Sequence, residues 1–356
     1  MCYILEATIG LRRRTYLNKV SLPIYGNDLF LVHMKTWPVK IQQKFELHRK
    51  NGTISLAELK KIYASCADGL HPNLLNPENG RFLISQDTFC EDRPELKILL
   101  VVHSNCKNRH RRELIRTTWG SLKRVGSQRI ATLFFVGRTK HAEDDELLSE
   151  ESEKYRDIIQ RDFIEDYHNM TRKHLTVMEW LSSGNCKSVK NIVKVDDDTF
   201  VDVFHLVRFL SSSDMKLDKG FYCSATTGAK PSRPGTSKSS KWEISKSEFV
   251  GKEFPTYCEG LGYVLNAELV PQLYWCSVFS RPIWIDDVYV TGVLADKLKI
   301  RRQEFIPGHS YRRVGPASLN ENILDSIFLT SYYSEYLPGL FKRLWQAAVS
   351  NSMNRV

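Results

Sequence analysis

From residue 96 onward the chain alternates short, unbroken apolar runs with longer segments of helical spacing. "LKILLVVHS" is the kind of run that forms a strand buried on both faces. "RHRRELIRTTWGSL" follows with helical periodicity, and "RIATLFFVG" predicts a second buried strand closed by Gly137. "AEDDELLSEESEKYRDII" reads as an acidic helix with a solvated face. "NMTRKHLTVMEWLSS" predicts another helix, with Leu175, Met178, Trp180 and Leu181 in the core, and "SVKNIVKVDDD" a further buried strand. Strands alternating with helices from 96 to 198 predict an α/β fold with an open, mostly parallel sheet and right-handed crossovers. In such sheets ligands sit beyond the carboxyl ends of the strands.

The pattern is less regular elsewhere. Residues 1–93 read as a stem-like or accessory region. "NGTISLAELKKIYASCADGL" has helical spacing through Ile54, Leu56, Leu59 and Ile62, and "HPNLLNPENG" interrupts it with Pro72, Pro77 and Gly80. "KPSRPGTSKSSK" (230–241) is a polar loop, and 311–356 a partly helical C-terminal tail. No run of about eighteen apolar residues predicts a membrane-spanning helix. The start, "MCYILEATIGLRRRTYLNK", puts its apolar patch before its arginines, the reverse of a signal peptide.

Composition narrows the partners. With 356 residues, 42% of them hydrophobic, the chain can bury one large core or two modest ones. A formal charge of +10 suits polyanions, anionic membranes or phosphorylated small molecules. The Lys and Arg are spread along the chain and no nucleic-acid module signature appears, so nucleic acid is not an expected partner. None of the eight cysteines forms a CxxC pair, which argues against a zinc ribbon or thioredoxin-type site, and the even count permits disulfides. Sequons stand at Asn51 and Asn169.

Candidate chemistry concentrates at "NIVKVDDDTFVD" (191–202), where a buried strand ends in three carboxylates. Residues two apart on a strand share a side, so Asp196 and Asp198 can converge while Asp197 faces away. Converging carboxylates suit a hard divalent cation with retained waters, commonly one that bridges a diphosphate. The other reading is a cap, with Asp198 or Thr199 at the N-terminus of a helix "TFVDVFHLVRFL". A second acidic cluster, "RPIWIDDVYVTGVLADKLKI" (281–300), sets Asp286 and Asp287 among apolar neighbours. Apolar surroundings raise a carboxyl pKa and improve it as a general base; capping a helix is again the plainer alternative. Between the clusters, "FPTYCEGLGYVLN" (254–266) has Gly260 and Gly262, which allow close backbone approach to a ligand or else mark a bulge or turn, flanked by Tyr257 and Tyr263.

Seven stretches in this order resemble glycosyltransferase family 31, which includes the β-1,3-galactosyl- and β-1,3-N-acetylglucosaminyltransferases. They are "RRELIRTTWG" (111–120), "LFFVGR" (133–138), "DFIEDYHNMTRKHL" (162–175), "KVDDDTFV" (194–201), "KWEISKSEF" (241–249), "FPTYCEGLGYVLN" (254–266) and "IDDVYVTG" (285–292). The resemblance implies a GT-A type fold: a Rossmann-like sheet flanked by helices, with a catalytic domain over 94–310 split into a nucleotide-sugar half (94–202) and an acceptor half (203–310). It implies an inverting hexosyltransferase that moves galactose or an N-acetylhexosamine from a UDP-sugar, with Mn²⁺ or Mg²⁺, to a glycan on glycoprotein or glycolipid in β-1,3 linkage. It also implies residence in the Golgi membrane or lumen, although the family's membrane-spanning helix is missing from this sequence.

Carried over position by position, the resemblance puts Asp198 on the metal, Asp196 on the metal or the nucleotide, and Asp197 on the donor side. Asp287 becomes the base and Asp286 orients the acceptor, beside Trp242, Gly260 and Gly262. Arg112 and Arg116, one helical turn apart, steady the diphosphate or the packing next to it; a buried structural ion pair is the alternative for Arg116. Trp119 reads as core. Asn169 matches a glycosylated position, and Cys258 a disulfide-bonded cysteine whose partner the sequence does not name. The family takes a further metal ligand from a downstream histidine. Only His309 follows Asp287, nearer than the family pattern has it, and it is either that ligand or a surface-loop residue. Two other functions remain open at this stage. One is a catalytically silent family member that binds glycans or proteins. The other is metal-dependent phosphoryl transfer, for which no Gly-rich phosphate loop is present.

Overall fold

The computed structural model describes residues 28–68, 80–211, 219–235, 241–305, 311–314, 326–331 and 337–353. His309 and "HPNLLNPEN" (71–79) lie outside them. The chain divides into two units, Met1–Trp37 and Pro38–Val356. In the first, helix α1 (Asp28–Lys35) precedes Trp37, whose ring meets Phe30 edge to face at 5.7 Å.

The second unit is built on a mixed, mostly parallel sheet. Its strands in chain order are β1 (Phe82–Ile84), β2 (Leu96–His103), β3 (Arg124–Val125), β4 (Gln128–Arg138), β5 (Ile158–Ile164) and β6 (Asn191–Asp196). They are followed by β7 (Thr199–Val201), β8 (Gly220–Cys223), β9 (Ala225–Thr226), β10 (Tyr257–Cys258), β11 (Gly262–Asn266), β12 (Arg301–Glu304), β13 (Tyr311–Val314) and β14 (Phe328–Ser331). The main sheet runs β1-β5-β4-β2-β6-β11-β8-β12, with β3 on β4. Strands β5, β4, β2 and β6 are mutually parallel, and β8 and β12 pair parallel; β11 runs antiparallel between β6 and β8. This is the GT-A type arrangement expected from the sequence. Parallel neighbours need crossovers, and α4 (Arg109–Arg116), α5 (Ala142–Tyr155) and α6 (Met170–Trp180) supply them.

Both faces of the sheet are covered, which is why its central strands are continuously apolar. Ile98, Leu100, Val102, Phe134, Val193 and Val195 pack with Leu114, Ile115 and Trp119, and with Phe200, Leu206 and Phe341. On the other face Phe135 meets Trp180 of α6. Helix α6 packs in turn on α8 (Val270–Phe279), as does α3 (Leu56–Cys66), which starts at a Ser55/Glu58 capping box. Disulfides join Cys66 to Cys276, Cys90 to Cys186, and Cys223 to Cys258, so the partner of Cys258 is Cys223.

Several local expectations need correction. The acidic segment stops as a helix at Tyr155, Arg156 turns left-handed, and Ile158–Ile164 is strand β5. Its "IIQRDFI" mixes apolar and charged residues and so lacks the unbroken apolar signature. "TFV" (199–201) is strand β7 on β14, not the start of a helix. The cap of α7 (Val203–Ser211) is therefore Asp202, which accepts from the His205 N–H at 2.9 Å, and neither Asp198 nor Thr199. Leu181 is half-buried at the end of α6.

Helix α5 is also not simply a wet face. Glu151 is 1% exposed and accepts from Nε and Nη2 of the fully buried Arg112 guanidinium at 2.9 and 2.7 Å. Arg116 donates to Glu151 at 2.7 Å and to both oxygens of Asp157 at 2.8 Å. Burial works against charge on Glu151, yet the two arginines hold it below the ordinary carboxylate range. These bonds pin α4 to α5 and to the turn before β5, the packing and buried ion-pair alternative for Arg112 and Arg116 rather than the diphosphate one. Removing one partner of a buried pair strands the other charge, so Arg112→Met should destabilise the fold by about 3 kcal/mol in urea denaturation. A variant of normal stability would show that the Arg112–Glu151 pair does not hold these elements together.

Candidate active site

A cleft of about 640 Å³ opens at the carboxyl end of β6. Strand β6 ends at Asp196, the chain turns at Asp197–Asp198, and β7 leads away, tied down by Thr330 donating to the Asp198 carbonyl at 2.9 Å and Thr199 to the Leu261 carbonyl at 3.2 Å. Asp196 and Asp198 both line the cleft. Across from them stand Gly260, Asp286 and Asp287. The two acidic clusters, some ninety positions apart in sequence, thus share one cavity.

One buried cation organises them. Lys194 lies two residues before Asp196 on the same side of β6, with a side chain only 4% exposed. Its Nζ donates to Asp196 Oδ1 at 2.7 Å and to the Gly260 carbonyl at 2.6 Å. Burial opposes its charge, but Asp196 and then Asp286 more than offset this and hold its pKa above the ordinary lysine value. The Gly260 N–H points to Asp287 Oδ2 at 3.2 Å, and the Val288 N–H to Asp287 Oδ1 at 2.8 Å. Gly260 therefore links the lysine to the second acid cluster through its own peptide groups.

The acids differ in character. Burial and, next, the neighbouring charge of Asp286 push Asp287 up to about 7. Asp286 is buried too, but a hydrogen bond with His174 Nδ1 (2.9 Å) and the charge of Lys194 outweigh that and keep it low. A pair of carboxyls whose surroundings drive them apart is a device for acid–base work. Burial, opposed by Lys194 and reinforced by Asp198, pushes Asp196 up to about 6. Asp198 is likewise raised by burial and by Asp197. Two crowded oxygen donors whose charge is only partly compensated fit a hard divalent cation. Among the described residues no group of three or more His, Cys, Asp or Glu converges on such a point.

An aromatic wall faces the acids. Trp242 and Trp284 stack within 5° of parallel at 6.5 Å, and Tyr167 meets them at 5.1 and 5.6 Å. Lys241 Nζ lies 4.9 Å from the Trp242 ring centre. Trp242 is 45% exposed, unusual for so large an apolar surface.

Of the residues singled out in the sequence, Asp196, Asp198, Trp242, Gly260, Asp286 and Asp287 meet in this cleft. Arg112, Arg116, Asp197 and Gly262 do not line it. Asp197 faces away, bonded to Ser104, Asn108 and Arg111 at 2.7–2.8 Å, and buttresses the turn. The arginine of α4 that reaches the acid cluster is Arg111, which also lies 3.8 Å from Asp198. Gly262 is a packing position, where a Cβ would fall 2.7 Å from the Phe328 ring. Asn169 donates from Nδ2 to the Ile164 carbonyl at 2.9 Å, outside the cleft. Lys194, His174, Tyr167 and Trp284 were missed as site residues. The signal was present for two of them: one lysine inside an apolar strand, and one histidine in an otherwise core-forming helix.

A family model described as Galactosyltransferase matches residues 110–305. Mouse beta-1,3-galactosyltransferase 5 is 35% identical over 244 residues, 67% of this chain and 77% of that protein. Mouse beta-1,3-galactosyltransferase 1 is 30% identical over 226 residues, 64% and 68%. A solved galactosyltransferase, LgtC with donor and acceptor sugar analogues, aligns with a TM-score of 0.35 at 7% identity, over 71% of this chain and 95% of its own. The family match and the relatives make the chain a glycosyltransferase. The chain belongs to the galactosyltransferase family.

Gly260 offers a direct test of the cleft. A Cβ there would sit 3.2 Å from Asp287 Oδ2, close enough to displace the carboxylate without disturbing the core. Gly260→Ala should melt within a few degrees of wild type and, with Asp287 as a reacting group, lose about 10- to 100-fold in kcat, since a misplaced reacting group costs on that order. Unchanged kcat would show that the Gly260–Asp287 contact does not set the geometry of the reaction.

Proposed function

We propose that this chain transfers galactose from UDP-galactose to the 3-hydroxyl of a glycan acceptor on glycoprotein or glycolipid, inverting the anomeric centre to give a β-1,3 linkage. The observation that carries the reading is Asp287, a carboxylate with raised proton affinity, opening into the same cleft as Asp196 and Asp198. The relatives' names supply galactose and the linkage.

The residues divide the work. Asp198, with Asp196, would hold Mn²⁺ or Mg²⁺, which when bound supplies Lewis-acid stabilisation for a departing diphosphate. Lys194 fixes Asp196 from behind and offsets part of the negative charge on that side of the cleft. The wall of Trp242, Trp284 and Tyr167 offers flat apolar faces for the acceptor sugar, and Asp286 accepts from one of its hydroxyls. Asp287 removes the proton from the attacking hydroxyl. The acceptor oxygen then forms its bond to the anomeric carbon as the bond to UDP breaks, in a single displacement that inverts configuration. The nucleotide-sugar half is assigned to 94–202 and the acceptor half to 203–310.

Location follows from the same reading. The three disulfides favour an oxidising compartment, and we assign the enzyme to the Golgi lumen or membrane, with Asn169 as a glycan acceptor. Among the described residues no helix is long and apolar enough to cross a membrane.

Asp198→Ala should abolish manganese-dependent UDP binding in calorimetry. Asp287→Asn should bind UDP as wild type does and lose about 10²- to 10⁴-fold in kcat, the usual contribution of a positioned general base. Transfer at the normal rate by Asp287→Asn would remove it as the base. A screen of UDP-galactose, UDP-N-acetylglucosamine and UDP-N-acetylgalactosamine, with the product linkage read by NMR, tests the donor.

The pH dependence has a definite sign. Asp287 acts only when ionised, and its raised pKa of about 7 means that protonation removes the base as pH falls. The kcat/KM profile should therefore drop about tenfold per unit below neutrality, rather than below the ordinary carboxylate range. A profile flat down to pH near 5 would contradict the assignment.

A further inference from the structure

We infer that His174 is a positioning residue for the acid pair, held as a neutral Nδ1–H imidazole between Tyr263 and Asp286 so that Asp286 stands fixed and charged beside Asp287. The inference rests on the reading of Asp287 as the base.

His174 belongs to α6 and is 2% exposed. Its Nδ1 lies 2.9 Å from Asp286 Oδ2, and its Nε2 lies 2.5 Å from the Tyr263 hydroxyl. A proton on both nitrogens is disfavoured by burial and by the nearby Lys194 charge. His103 of β2 packs edge-on to the ring at 5.2 Å, and both of its own nitrogens lack a hydrogen-bond partner, as suits a neutral ring. The Lys194 ammonium of β6 adds positive charge nearby, while Lys173, the preceding residue of α6, is paired with Glu165. Tyr263 of β11 brings no charge, and the Asp286 carboxylate is the one group that favours protonation. Burial and Lys194 outweigh it, and the ring stays neutral.

A neutral imidazole has one donor and one acceptor. An ionised Asp286 can only accept, so the proton sits on Nδ1 and Nε2 accepts from the Tyr263 O–H. All three buried groups are then satisfied. One oxygen of Asp286 is locked, leaving the rest of its carboxylate for the cleft, which Asp286 lines. Remove the donor, and Asp286 loses the bond that most favours its charge, so buried beside Asp287 it takes up a proton more readily. Asp286 would then donate as well as accept, and Asp287 would cease to be the sole base.

The experiment compares H174Q and H174F in the full chain. Glutamine can donate to Asp286 through Nε2 and accept from Tyr263 through Oε1, whereas phenylalanine fills the space and does neither. H174Q should keep kcat within about 3-fold of wild type, and H174F should lose about 10- to 100-fold, a loss typical of a misplaced reacting group. For H174F the KM for UDP-galactose and manganese-supported UDP binding should be unchanged. Its kcat/KM profile should also lose the single-proton acidic limb of wild type. Equal activity in the two variants, or an equal loss in both, overturns the inference. A second measurement needs no transfer at all. With ¹⁵N-labelled histidine, His174 should remain the neutral Nδ1–H form between about pH 5 and 8, across the range where an ordinary histidine titrates. A His174 that titrates there, or that carries its proton on Nε2, overturns the inference even if H174F does not fold. Failure of wild type to transfer galactose would instead overturn the proposed function and leave this second result to decide the role of His174.

Discussion

The Lys194 ammonium is the contact on which the cleft depends. Asp196, Asp198, Glu259, Asp286 and Asp287 line one cavity, and such a concentration of carboxylates would push the strands that carry them apart. Lys194 opposes that push from beneath. It binds a carboxylate on the β6 side and a peptide carbonyl on the Gly260 side, so electrostatic compensation and mechanical linkage come from the same group. Burying an ammonium costs several kcal/mol unless it is paired, and here the pairing is with the site it assembles. The acids make the lysine tolerable inside the sheet, and the lysine makes the acids tolerable beside one another.

Stability and function separate cleanly around this point. The Arg112–Glu151 and Arg116–Asp157 bonds are also buried and charged, but every partner is matched and none lines the cleft. They hold α4 against α5 and the turn before β5, away from the cleft lining. In the cleft the carboxylates outnumber the cations, and three of them, Asp196, Asp198 and Asp287, hold protons more tightly than an ordinary aspartate does. A fold selected for stability alone would resolve that imbalance by substitution. It persists because an uncompensated acid is what binds a cation or takes a proton, and the saturated network on the far side allows the sheet to carry the load.

How much of this is legible in the sequence depends on whether a feature is local. Strands β2, β4 and β6 show as unbroken apolar runs because both faces of the sheet are covered. Strand β5 does not, since its Gln160, Arg161 and Asp162 find partners such as Asp145, Glu179 and Arg138 that only the fold brings near. The convergence of Asp196 and Asp198 could be read from strand periodicity, and the order of motifs indicated the fold. Arg112 and Arg116 left two readings open because a conspicuous arginine pair looks the same in sequence whether it faces a diphosphate or a buried Glu151. Lys194 and His174 carried a signal of a kind easily passed over, a single polar residue in an apolar stretch, which becomes meaningful once its partners are known.

What brings residues 196 and 287 together is the antiparallel strand β11, inserted between β6 and β8. Strand β11 enters beside β6 with Gly262 opposite Val195 and Tyr263 opposite Lys194. That register sets the turn before β11 next to the end of β6, within reach of the lysine. A slip of one residue would turn Tyr263 to the other face, away from His174, and would move the Gly260 carbonyl away from Lys194. The register is guarded at Gly262, where Phe328 of β14 presses so closely that no side chain fits. A strand that pairs with β7, away from the main sheet, thereby fixes the alignment on which the acid pair depends. Gly262, which looks in sequence like a place for a ligand to approach, serves the cleft by packing: a slip of one residue would force Leu261 or Tyr263 against the Phe328 ring.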